Sequence, residues 1–148
     1  RDGLFGQKFH VYKLRTMIVN AETSGPQWAR ENDNRITLIG NFLRKTRIDE
    51  LPQLVSVLKG DMSLIGPRPE RPEFNTLLEE EIPYYNLRHI LKPGLSGWAQ
   101  VNYPYSSSIK ESKHKLSYDL FYISNYSIFL DLLIFFKTMR IICNGRGT

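Results

Sequence analysis

Cysteine is almost missing from this 148-residue chain. Cys143 stands alone, so no internal disulfide can form. Histidine is scarce as well: His10, His89 and His114 lie far apart and give no zinc-ligand spacing. Cys143 has no basic partner motif, which argues against a thiol nucleophile. A long hydrophobic run is also lacking. The apolar stretch between Asp119 and Asp131 holds eleven residues and includes Ser124, Asn125 and Ser127, whereas crossing a bilayer takes about 18–20 apolar residues. No secretory leader is expected, and the glycine-rich phosphate loop, GxGxxG, HExxH and GxSxG are all absent. The chain opens at Arg1-Asp2-Gly3 without an initiating Met, so it is expected to be a piece of a longer protein.

What remains is an ordinary folded composition, 41% hydrophobic and 24% charged. The net charge is +5 and unevenly spread. Residues 1–50 carry nine basic and six acidic side chains, residues 51–100 five and six, and residues 101–148 six and three. Basic ends point to phosphates, whether of a nucleotide, a nucleic acid or a lipid headgroup.

Residues 8–17 alternate as a strand does, with Phe9, Val11, Lys13, Arg15 and Met17 sharing a face. Residues 22–35 are polar and read as a surface loop. The pattern predicts a short helix over 36–47 with Ile39, Phe42 and Leu43 inward. A second helix follows, with Leu51, Leu54, Val55 and Leu58 on one face and Gly60 at its end. Residues 62–65 suit a short buried strand. Gly66-Pro67-Arg68-Pro69 then forms a stiff extended turn, because each proline also restricts its predecessor. Helices are predicted over 72–81, 84–91, 107–124 and 127–142, and a long Gly/Pro/aromatic loop over 92–105. The fold class is α+β: a mostly helical compact domain over 1–148, with a β-hairpin or small sheet near the N-terminus.

Five clusters carry chemistry. Asp49 and Glu50 open a helix just after Arg44, Lys45 and Arg47. Two carboxylates there complement the helix dipole. Equally, an ionised carboxylate beside arginines can act as a nucleophile on phosphorus or hold a divalent cation. Arg68 between Pro67 and Pro69 is pre-organised for bidentate phosphate recognition, although a solvated turn, or pairing with Glu70, explains it as simply. Lys13 and Arg15 share a face with apolar residues, which fits a site wall or snorkelling at a sheet edge. Trp98, Tyr103 and Tyr105 suit a stacking platform or a membrane interface, and Trp98 also suits a core anchor. Residues 118–142 read as a core helix or as an interfacial one flanked by Lys137 and Arg140.

The order of these pieces resembles the bacterial sugar transferase family, the monotopic polyprenyl-phosphate phosphoglycosyl transferases. The resemblance rests on four runs: KFHVYKLRTM (8–17), RITLIGNFLRKTRIDELPQLVSVLKGDMSLIGPRPE (35–70), KPGLSGWAQVN (92–102) and KLSYDLFYISNYSIFLDLLIFFKTMRII (115–142). It implies transfer of a sugar phosphate from a UDP-sugar to a polyprenyl (undecaprenyl) phosphate, with release of UMP, as the first membrane step of exopolysaccharide or glycoconjugate assembly. Asp49 is then the nucleophile that carries the phosphosugar, and Glu50, with Asp49, holds Mg2+. Lys13, Arg15, Arg44, Pro67, Arg68, Pro69 and Asp119 are expected to bind or support the donor. The resemblance also implies an upstream membrane-inserted helix, absent from this chain, and a place at the cytoplasmic face of the bacterial inner membrane. It allows a homo-oligomer and no nucleic acid. One departure stands out. Many members have Gly-Arg after the Val-Asn of the Gly-Trp-Ala-Gln run, where this chain has Tyr103-Pro104-Tyr105, as in an exopolysaccharide branch. Arg71, Arg88 or Lys92 is a possible substitute for that arginine. Two alternatives are a basic nucleic-acid-binding module, resting on Arg44-Lys45-Arg47 and Lys110/Lys113/Lys115, and a membrane-surface scaffold without catalysis.

Overall fold

The computed structural model describes residues 1–23, 25–28, 33–103 and 108–145. Parts of two expected loops therefore lie outside the described residues, including Pro104 and Tyr105.

Among the described residues the regular structure comprises six α-helices and one small sheet: α1 (Leu38–Lys45), α2 (Leu54–Leu58), β1 (Ser63–Ile65), α3 (Pro72–Glu81), β2 (Gly94–Ser96), α4 (Trp98–Asn102), α5 (Ile109–Ser124) and α6 (Ile128–Cys143). Two 3-10 turns, Ile48–Gln53 and Tyr85–Ile90, occupy places where the sequence pattern predicts α-helix. Local chemistry explains several boundaries. The Thr37 hydroxyl accepts from Gly40 N–H and caps α1, and Ser108 and Ser127 cap α5 and α6 in the same way. Pro72 sits in the first turn of α3, where its missing N–H costs nothing.

The expected N-terminal hairpin does not form. Among the described residues, 8–17 make no ladder; the pairings there are single antiparallel bridges, Asp2 with Lys8 and Met17 with Ile36. Their backbone instead docks on helical neighbours: Leu14 N–H donates to the Asp49 carbonyl, and the Thr16 carbonyl accepts from Thr37 N–H, each at 3.0 Å. Thr16, of the opposite parity to the predicted face, is the buried residue there. The sheet lies further along the chain and is parallel, with Ser63 opposite Gly94 and Ile65 opposite Ser96. Close backbone approach makes it possible. A Cβ on Gly94 would lie 2.1 Å from the Gly66 nitrogen, so only glycine lets the segments meet.

Leu78, Ile82, Tyr85 and Leu116 form a core cluster joining α3, the Tyr85–Ile90 turn and α5, with Trp28, Phe74 and Leu120 packed against it. Two predicted faces turn the other way. Ile39 and Phe42 of α1 are exposed, as are Leu51, Leu54, Val55 and Leu58, the last to 88%. Gly40, Asp49, Glu50, Gln53 and Ser56 are buried in their place. On α6, Ile134 is fully buried but Phe129 is 81% exposed. Trp98 is half-buried; it stacks on Phe121 and lies under the Lys137 ammonium.

Candidate active site

The acidic pair owes its position to a sharp break in the chain. After α1 the backbone turns through Arg47, a non-glycine residue in the left-handed region at φ 60°. The 3-10 turn that follows carries Asp49 and Glu50 in its first turn, 1% and 4% exposed. Burying two adjacent carboxylates is costly unless cations accompany them, and here they do. The Lys13 ammonium lies 2.9 Å from Asp49 Oδ2 and 3.3 Å from Glu50 Oε1. Arg47 reaches Glu50 Oε2 at 3.2 Å. Arg68 grips the same carboxylate with both terminal nitrogens, at 2.5 and 3.4 Å. Burial opposes ionisation of Glu50, but Arg68 first, then Lys13 and Arg47, outweigh it and hold the carboxyl well below the usual range. Asp49 differs. Its Oδ2 is buried and, despite the nearby ammonium, makes no aligned hydrogen bond among the described residues.

The other predicted residues divide into two groups. Pro67 and Pro69 frame Arg68 as expected, and the Pro67 carbonyl accepts from Gly94 N–H at 2.9 Å, tying the turn to the sheet. Arg44 packs beside the pair's supporting chain, its Nε donating to Thr16 Oγ1 at 2.9 Å. Arg15 is not brought to the carboxylates; it lines a surface hollow with residues 17–23. Asp119 stands behind the site, in a buried ion pair with Arg88 at 2.9 Å. Arg88 is thus spent on Asp119, and Arg71 pairs with Glu22. Arg47 was visible in sequence as part of a basic run, but only the left-handed turn aims it at Glu50. No local signal links Arg88 to Asp119.

Among the described residues, no three His, Cys, Asp or Glu side chains converge. The available hard donors are the two adjacent carboxylates. Mg2+ is commonly held by one or two carboxylates, with waters and substrate phosphates completing its shell, so the pair fits such an ion. Asp49 Oδ2 lacks an aligned hydrogen bond but faces the Lys13 ammonium at 2.9 Å, and both Glu50 oxygens also face cations.

Beside the pair opens an apolar groove of about 230 Å3, with Arg47 and Glu50 among its lining residues and Leu54, Leu64, Leu95, Val101, Phe135 and Met139 along its walls.

A buried carboxylate pair accompanied by cations thus lies next to an apolar groove. Comparison with known proteins agrees with the residue patterns: the bacterial sugar transferase family model matches residues 1–145, and the chain belongs to that family. It is 50% identical, over 99% of its length, to a UDP-N-acetylgalactosamine-undecaprenyl-phosphate N-acetylgalactosaminephosphotransferase of Aeromonas hydrophila, covering 35% of that protein. It is 43% identical, over 93% of its length, to a UDP-glucose:undecaprenyl-phosphate glucose-1-phosphate transferase of Xanthomonas campestris pv. campestris, covering 29% of it. The uncharacterized sugar transferase EpsL of Bacillus subtilis is 41% identical over 99% of this chain, which covers 69% of it. The chain therefore spans about a third of the length of the first two relatives.

Proposed function

We propose that this chain is the catalytic part of a phosphoglycosyl transferase that moves a sugar 1-phosphate from a UDP-sugar to a polyprenyl phosphate and releases UMP. One observation carries the reading: the buried Asp49 carboxylate holds its Oδ2 2.9 Å from the Lys13 ammonium without an aligned hydrogen bond, next to Glu50, which Arg47 and Arg68 pair with. A carboxylate oxygen that meets a cation but accepts no aligned hydrogen bond keeps a lone pair with which to attack phosphorus.

The transfer takes two displacements. Asp49 attacks the β-phosphorus of the donor, the bond to the bridging oxygen breaks, and UMP leaves with the electron pair. The aspartyl phosphosugar is then attacked by a phosphate oxygen of the polyprenyl acceptor, the bond to Asp49 breaks, and the carboxylate is restored. Lys13 and Arg68 oppose the negative charge that gathers on the pyrophosphate. Mg2+, held by Glu50 and Asp49, supplies further charge neutralisation when bound. The apolar groove suits the first part of the prenyl chain, with its phosphate at the Arg47 end.

The acceptor is a lipid, and the outward apolar faces of α1, α2 and α6 support a seat on the bilayer surface. No described helix is long and apolar enough to cross a membrane. A monotopic position on the cytoplasmic face of the bacterial inner membrane fits a nucleotide-sugar donor. The test is UMP release from a panel of UDP-sugars by the full-length protein in nanodiscs. Release that requires polyprenyl phosphate for turnover, and an Asp49-linked phosphosugar trapped with donor alone, are the expected results. An Asp49→Asn variant with undiminished turnover refutes the reading.

A further inference from the structure

We propose that Arg88 is a positioning residue: it fixes the backbone of the Pro67-Arg68-Pro69 turn, so that the Arg68 side chain meets the acidic pair in one geometry. The proposal rests on the reading of Arg68 as a donor-phosphate contact. The peptide joining Arg68 to Pro69 has a particular difficulty. Pro69 has no N–H, so this unit can be anchored only through the Arg68 carbonyl. The sheet secures its neighbours, with Gly66 N–H on the Ser96 carbonyl and Gly94 N–H on the Pro67 carbonyl, both at 2.9 Å. The pairing ends there, one residue short of Arg68.

Arg88 supplies the missing anchor. It is buried in the Tyr85–Ile90 turn, and its Nη2 donates to the Arg68 carbonyl at 2.7 Å. The same guanidinium donates to Tyr85 Oη at 2.5 Å and pairs with Asp119 of α5 at 2.9 Å. A planar fork spans these acceptors at once, which a lysine ammonium on a single stem does not. Asp119 contributes the countercharge that lets a buried cation remain there, and Tyr85 belongs to the core cluster. The α5 helix and the core thus hold the active-site turn through one side chain, and Asp119 acts through Arg88 rather than on substrate.

The test uses the full-length protein and three variants. Arg88→Lys keeps the charge but loses the fork. Arg88→Met/Asp119→Leu removes the buried pair together, a replacement that cores commonly tolerate. Tyr85→Phe deletes a neighbouring bond and leaves the one to Arg68. The first two are expected to raise KM for the UDP-sugar about tenfold with a smaller change in kcat, and Tyr85→Phe to stay within about twofold of the parent. In an Arg68→Ala background, Arg88→Lys is expected to add less than about twofold, because the group it positions is gone. A separate readout needs no turnover: the Arg68 Nε–H signal in 15N NMR is ordered in the parent and motionally averaged in Arg88→Lys. If the parent shows no transferase activity, the functional reading fails and this NMR comparison still decides the positioning role. Additive effects in the double-mutant cycle, or an Arg68 signal equally ordered in both proteins, overturn the proposal.

Discussion

Replacing Glu50 by glutamine keeps the shape of a buried side chain and removes its charge. Arg47 and Arg68 then lose the Glu50 charge, and Lys13 is left with Asp49. A hydrogen bond to a charged group contributes about 1.5–3 kcal/mol. Lys13 and Arg68 are 35% and 27% exposed, so solvent screens much of their share. A loss of about 3 kcal/mol follows, at the lower edge of the about 3–5 kcal/mol seen when one partner of a buried pair is removed. At about 2–4 °C per kcal/mol for a domain of this size, Tm falls by about 6–12 °C. The sign of the pH dependence is fixed by the direction of the shift. Glu50 is held ionised in the fold well below its ordinary value of 4.5, so its stabilisation is complete above that value and is lost as pH falls toward the folded-state pKa. Urea unfolding of parent and Glu50→Gln at pH 7 and pH 3 measures this. The gap is expected to be wide at pH 7 and clearly smaller at pH 3. Equal stabilities at pH 7, or a gap unchanged at pH 3, refute the reasoning.

The remaining predictions concern the site and its support. Asp49→Asn should fold normally yet form no phosphosugar adduct and lose at least about 10^4-fold in turnover, as nucleophile removal does elsewhere; intact-protein mass spectrometry with donor alone checks the adduct. Glu50→Gln should need more Mg2+ for half-maximal activity, and an unchanged Mg2+ titration would remove the metal role from Glu50. Gly94→Ala forces a Cβ to 2.1 Å from the Gly66 nitrogen and should destabilise by about 3 kcal/mol or more, read as a drop in urea midpoint. Leu58→Glu and Phe129→Glu, at exposed positions, should leave Tm within about 2 °C while weakening sedimentation with anionic vesicles; unimpaired vesicle binding in the double variant would count against the membrane-facing assignment.

The amphipathic pattern of residues 36–58 was legible as helix but misleading as to which side faces in. Apolar spacing normally marks the buried face. Here the buried side is polar: Asp49 and Glu50 pair with cations, Ser56 donates to the His10 carbonyl, and Gln53 is buried beside them in the chain. The failed N-terminal strand has a related cause. Alternation indicates an extended chain, but a strand also needs a ladder partner, and residues 8–17 find carbonyls and N–H groups of helical turns instead. Arg15 shared a predicted face with Lys13, and that face does not exist without a strand, so only Lys13 arrives at the pair.

Local chemistry in the sequence determined the helices at 72–81, 109–124 and 128–143 to within a few residues, the rigidity of the Pro-Arg-Pro turn, and the identity of the acidic pair, because caps, prolines and adjacent charges act within a few residues of themselves. Tertiary structure alone decided that Lys13, Arg47 and Arg68 converge on Glu50, that Arg88 and Asp119 hold the turn from behind, and that the apolar faces point outward. Apart from Arg47 with Glu50, three residues on, those pairings join segments far apart in the chain, and their geometry depends on backbone contacts, such as glycine against glycine at residues 66 and 94, that no spacing of residue types encodes.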